Sequence, residues 1–255
     1  MKKILITAPV HQDVKIFKEY LWSLNRLIIP EGYEAIKYFY LHNAENLKKF
    51  LQPNEYELVK DNVVRKQSDI THIWEKDNFS VVSEMRTKAL IKAREEKFDY
   101  LFSVDSDTIL CKQTLQELIE DNKDFVSKLH WSQWIKDDPN SIGPNCYDGI
   151  TKSGKKFYFD SVEKFHIPGL YEVGTAGGCN LISSRIFNEE LINYYPIKIL
   201  STSFWEDFAF STRCKCVIPD IKFYIDSKNP VKHLYRQEDY EKWIKEEKTE
   251  WIKEF

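Results

Sequence analysis

Apolar and polar positions in the first hundred residues alternate between strand-like and helix-like patterns. Ile4-Leu5-Ile6 is a short, continuously apolar run and predicts a buried strand. From Asp13 to Leu27, Ile16, Phe17, Tyr20, Leu21 and Leu24 recur at helical spacing. A second strand is expected over Tyr33 to Leu41, a third over Glu55 to Val59, a long helix from about Phe79 to Lys97, and a further strand over Tyr100 to Val104. Strands separated by helices of this length imply a mostly parallel sheet covered on both faces, an α/β class.

The second half is less regular. Trp131 to Tyr171 carries Asp138-Pro139-Asn140, Gly143-Pro144-Asn145 and Ser153-Gly154 with few apolar runs, and reads as long loops. Strand signals return at Cys179 to Ile182 and at Ile221 to Ile225. Glu238 to Phe255 reads as a charged amphipathic helix bearing Tyr240, Trp243, Ile244, Trp251, Ile252 and Phe255, a docked or dimerising element.

Composition narrows the classes. The 255 residues, 42% hydrophobic and 30% charged, suit a packed globular chain, and 8 glycines with 9 prolines leave no low-complexity linker. A net charge of −3 gives no global attraction to nucleic acid or anionic lipid. Five cysteines without a C-x-x-C pair point to reduced thiols and a cytoplasmic setting. No stretch approaches the roughly 18 apolar residues of a transmembrane segment.

The candidate chemistry begins at Asp105-Ser106-Asp107. Two carboxylates one residue apart, just past a buried strand, repel each other unless a cation or proton intervenes. In open α/β sheets ligands bind at that strand end. Oxygen ligands of this kind suit Mg²⁺ or Mn²⁺, normally shared with substrate phosphates. The alternative is a triplet that caps the helix before Leu115, Leu118 and Ile119.

Ordered motifs along the chain resemble family 2 glycosyltransferases of the GT-A fold. Ile4 to Asp13, with Pro9, His11 and Asp13 ahead of a helix containing Leu21-Trp22-Ser23-Leu24, resembles the opening that shapes the family's nucleotide pocket. Ser83 to Leu90 with Arg86, then Phe98 to Asp107, looks like its Arg-bearing helix and D-x-D strand end, nineteen positions separating Arg86 from Asp105. Gly174 to Leu181 looks like the glycine-containing acceptor-side strand, Trp205-Glu206-Asp207 followed by Arg213 resembles the E-D motif, and His233 stands where many GT-A enzymes supply a further metal ligand. At one point the pattern departs: after the second strand, His42-Asn43-Ala44-Glu45 replaces the acidic residues that often read the base.

The resemblance implies a single catalytic domain over 1–236, with a nucleotide-sugar half at 1–110, an acceptor half at 111–236 and a C-terminal helix at 237–255. It implies sugar transfer from a UDP- or GDP-sugar to an acceptor hydroxyl on a glycan, protein, lipid-linked species or modified nucleobase, with Mn²⁺ or Mg²⁺ and possible homodimerisation. Asp107 would ligate the metal, with Asp105 on the ribose or in the metal shell and His233 as a further ligand. Arg86 would face the donor phosphates, and Gly177 and Gly178 would allow close backbone approach to the donor. Asp207 would be the general base of an inverting displacement, with Glu206 orienting the acceptor or itself the base, and Trp205 would stack on a sugar ring. Bland readings stand beside these: Asp13 capping a helix, Glu206 and Asp207 favoured in a helix's first turn, the glycines as a plain turn. Asp105 to Thr108 also fits the D-x-D-x-T of haloacid-dehalogenase-type phosphohydrolases, with Asp105 as nucleophile, and a non-catalytic glycan-binding module is the third reading.

Overall fold

The computed structural model describes residues 1–60, 76–150, 156–157, 162–197 and 206–254. Eight strands form the central sheet: β1 (Lys2–Val10), β2 (Tyr33–His42), β3 (Tyr56–Val59), β4 (Tyr100–Val104), β5 (Phe125–Lys128), β6 (Leu170–Val173), β7 (Cys179–Ser183) and β8 (Phe223–Asp226). Their spatial order is β6-β8-β5-β7-β4-β1-β2-β3. β4, β1, β2 and β3 are parallel, whereas β7 runs antiparallel to both β4 and β5, and β6 antiparallel to β8.

Helices α1 (Val14–Leu24) and α3 (Thr114–Glu120) cover one face; α2 (Lys76–Glu95), α4 (Ser184–Phe187) and α5 (Glu206–Val217) cover the other. This explains the unbroken apolar run of β1. Ile4, Ile6, Ala8 and Val10 pack with Phe17 and Tyr20 of α1, while Leu5 packs with Met85 and Ala89 of α2. Both sets of alternating side chains are buried, each large one contributing about 1.5–3 kcal/mol. On α2 the buried stripe is Val82, Met85, Ala89, Leu90 and Ala93, and Arg86 lies on it at 4% exposure.

The region read as long loops contains short ladders. Trp131–Gln133 pairs with Ile142–Pro144, Cys146–Tyr147 with Thr175–Ala176, and Gly149–Ile150 with Lys156–Phe157. Ser153 and Gly154 lie outside the described residues. Asp105-Ser106-Asp107 does not cap α3, whose N-cap is Gln113. It forms a turn, Thr108 N–H donating to Asp105 O at 3.1 Å, ahead of a two-residue strand Thr108–Ile109.

The terminal segment runs from α6 (Gln237–Lys242) through a π-helical turn (Trp243–Glu247) into α7 (Lys248–Glu254); Phe255 lies outside the described residues. It docks on α1. Trp243 is fully buried with Ile16, Ile109 and Leu234, and its indole N–H donates to Glu19 at 3.0 Å. No helix among the described residues is long and apolar enough to cross a membrane.

Candidate active site

The carboxyl end of β4 faces the amino-terminal entry of β7, because these neighbours run in opposite directions. Asp105 N–H donates to Gly178 O at 2.7 Å, so the aspartate turn and the Gly177-Gly178 pair form one wall. Gly178 has φ +85, a conformation that favours glycine, and a Cβ there would come within 2.5 Å of His130 Nε2. At Gly177 a Cβ would lie 2.1 Å from Asp207 Oδ2. The Asp207 carboxylate therefore rests directly on the glycine backbone, and the pair is more than a plain turn.

Arg86 reaches this wall from below. Its guanidinium donates to Asp105 Oδ1 at 2.6 Å and to Ser103 Oγ at 3.2 Å, and its Nε lies 3.6 Å from Glu206 Oε1. Burial alone would lower its pKa; Asp105, Asp207 and Glu206 outweigh burial and push it well up. It thus binds the site's own carboxylates and Ser103. Tyr194 supports it, the guanidinium carbon lying 5.8 Å from the ring centroid.

Asp107 turns to the other side. It is 1% exposed, Gln12 Nε2 lies 3.4 Å from its Oδ2, and His233 Nε2 stands 3.3 Å from its Oδ1. The Lys232–His233 strand pairs with Thr108–Ile109, which brings the histidine to the aspartate from 126 positions away. His233 Nδ1 is 2.7 Å from Ser132 Oγ, and the ring lies 4.4 Å from that of His130. A carboxylate oxygen and an imidazole nitrogen this close repel unless a proton or cation joins them. One carboxylate and one imidazole brought together at a strand end fit a hard divalent ion whose remaining positions are completed by phosphate oxygens. Among the described residues there is no cluster of three His, Cys, Asp or Glu that would hold one unaided.

The remaining expected positions fall at the β1–β2 edge. Pro9 is buried opposite Tyr40. His11 Nδ1–H donates to His42 O at 2.9 Å, and Nδ1 of His42 is 3.1 Å away. Asp13 is exposed and occupies the N-cap of α1, but its side chain makes no capping bond. Glu206 and Asp207 begin α5, where the helix dipole favours carboxylates. Trp205 lies outside the described residues. Arg213 points away from the carboxylates, to the carbonyls of Asn193 and Tyr195. His130, Ser132 and Tyr194 are site residues that sequence reading had not singled out.

An open, mostly parallel mixed sheet flanked by helices is the architecture of the GT-A glycosyltransferases. Within it, the chain belongs to the glycosyltransferase family 25 N-terminal-domain family, whose model matches residues 33–238. The family 2 likeness thus carried the right fold, and the match falls to family 25. The chain is 25% identical over 251 residues to procollagen galactosyltransferase 1-A of Xenopus laevis, covering 91% of this chain and 39% of that protein. It is 27% identical over 259 residues to procollagen galactosyltransferase 2 of Mus musculus, covering 88% and 38%. The chain thus spans less than two fifths of the length of these relatives. S. aureus TarS shares the fold, with a TM-score of 0.51, 13% identity, and coverage of 94% of this chain and 38% of that one. The phosphohydrolase and non-catalytic readings give way to the family match.

Proposed function

We propose that this domain transfers a hexose from a nucleoside-diphosphate sugar to an acceptor hydroxyl, with inversion at the anomeric carbon. The relatives named procollagen galactosyltransferases support hexosyl transfer. The observation that carries the reading is the meeting of Asp107 and His233 at 3.3 Å beside an Asp105 held by Arg86. Asp107 and His233, with Asp105 at the edge, would hold Mn²⁺ or Mg²⁺. Such an ion supplies charge neutralisation to the departing diphosphate.

The residues divide the remaining work. Arg86 fixes Asp105 and Glu206 from beneath and is a positioning residue. Gly177 and Gly178 leave room for a donor at the wall. Asp207, free of a side chain at Gly177, takes the proton of the acceptor hydroxyl as its oxygen bonds to the anomeric carbon; the bond from that carbon to the diphosphate oxygen breaks. Glu206, whose Oε1 lies 3.6 Å from Arg86 Nε, orients rather than accepts the proton. His11 and His42 occupy the base side in place of acidic residues, so UDP and GDP donors both belong in the test.

The test is a thermal-shift panel of UDP- and GDP-hexoses with and without Mn²⁺, followed by transfer of labelled sugar. The expected result is a rise in melting temperature for one donor only with metal present, since a ligand of the folded state stabilises it. No shift with any donor in either condition would sink the reading.

A further inference from the structure

Beside the carboxylates lies a groove of about 600 Å³ between the Trp131–Gln133/Ile142–Pro144 ladder and Cys146–Tyr147. Trp134, Asn140, Pro144, Tyr147 and Tyr235 line it, and its volume falls within the roughly 300–1,000 Å³ of small-molecule sites. The fold ties it to the chemistry at both ends. The Tyr235 ring is 5.4 Å from that of His233, the ring facing Asp107. The Tyr147 ring is 5.2 Å from that of Phe208, next to Asp207, and Tyr147 pairs with Thr175, whose hydroxyl donates to Asp207 O at 3.3 Å.

We infer that this groove is the acceptor subsite and that its occupant is an uncharged saccharide stacked on Trp134. The inference rests on the sugar-transfer reading given above and adds the acceptor class to it. Three features select a sugar. Trp134 and Tyr235 meet edge to face, centroids 5.5 Å apart at 75°, forming a corner of two aromatic surfaces suited to the apolar face of a pyranose. Among the described residues no lining side chain is charged, so an acidic or cationic acceptor would find no counter-charge among them. A peptide strand would need a free edge rich in donors, yet Ile142–Pro144 is already paired on one side and ends in a proline without an N–H.

The Trp134 main chain is anchored and its indole lies against Gly143. Arg236 donates to Trp134 O at 3.2 Å, and a Cβ on Gly143 would come 2.9 Å from the indole nitrogen. Gly143 therefore leaves the space in which the indole lies, and a side chain there must displace it.

Saturation-transfer NMR with methyl hexopyranosides and neutral disaccharides, alongside a neutral serine-containing peptide, tests this without requiring turnover. Wild-type protein is expected to bind one or more saccharides and not the peptide. Trp134→Ala is expected to weaken that binding by about tenfold, Trp134→Phe to restore most of it, and Gly143→Val to weaken it with the tryptophan still present. In transfer assays the acceptor KM should rise far more than kcat falls. The metal-dependent melting shift with nucleotide sugar, measured on the same variants, separates the two ideas. Its absence in wild type sinks the transfer reading, whereas its presence with saccharide binding indifferent to Trp134 overturns the groove assignment. Binding of the peptide in place of any saccharide overturns it equally.

Discussion

Arg86 and Asp105 meet at 2.6 Å, the arginine buried with Ser83 and Thr87 beside the apolar residues of α2. The guanidinium neutralises part of a group of carboxylates that would otherwise face one another across a dry boundary. Replacing it by alanine leaves Asp105 and Glu206 without that counter-charge. Arg86→Ala is expected to lower unfolding stability by about 3 kcal/mol, the scale for breaking a buried pair, measured by urea denaturation. Arg86→Lys should recover part of this, having charge but not the planar fork. Unchanged stability in the alanine variant would remove its positioning role.

Asp107 and His233 should act together. Asp107→Asn keeps size and the neighbouring Gln12, so the circular dichroism spectrum and melting temperature without ligand are expected to stay close to wild type. The increment in melting temperature from Mn²⁺ with donor should vanish. Ser132→Ala frees His233 Nδ1 and is expected to weaken Mn²⁺ binding by roughly tenfold, the lower end for residues that orient a metal-ligating histidine. Ser132→Thr should restore it, read by manganese paramagnetic resonance.

For Asp207→Asn, transfer is expected to fall by at least ~10², the scale of general-base catalysis, with donor KM little altered. Gly177→Ala offers a second route to the same residue. Its methyl group would enter the space of the Asp207 carboxylate and push it aside. A comparable loss of kcat is expected, since about 1 Å of misplacement can cost ~10². Retained activity in both variants would move the base elsewhere.

The thiols give a pH prediction. Burial pushes Cys111 up to about 12 from an ordinary 9.0, against the opposing pull of Lys128, and burial raises Cys146, Cys179 and Cys214 as well. A folded-state pKa raised in this way leaves stability intact below the unfolded thiol value and erodes it as pH climbs from 9.0 toward 12. The urea midpoint should therefore decline across that window, and Cys111→Ala should flatten the decline. At pH 8 a thiol-exchange reagent should modify the exposed Cys216 in native protein and all five cysteines once unfolded.

Much of the fold was legible because its signals are local. β1 and β4 read as strands from apolar runs buried on both faces, and α1 and α2 from helical spacing. The ladders between Trp131 and Thr175 were not legible, since two- and three-residue strands carry no period and exist through distant partners such as Tyr147 and Thr175. The aspartate turn could be placed from strand order alone. The inward course of Arg86 could not, because the helix pattern fixes its face but not the groups that meet it. His130 was not legible, because no strand was read over Phe125–Lys128, two positions before it, and without that strand the strand-end argument has nothing to act on.

Reversal of β7 also bears on how the chain can be divided. With β7 in place, Tyr100 to Ser103 has neighbours on both sides. A fragment ending at residue 110 would keep β1 beside β4 but bare the opposite edge, a row of unmet amides and carbonyls over apolar side chains. Such an edge invites the same edge of another molecule. Such a fragment on its own is therefore expected to associate through β4, and soluble expression should depend on retaining the chain at least through Ser183.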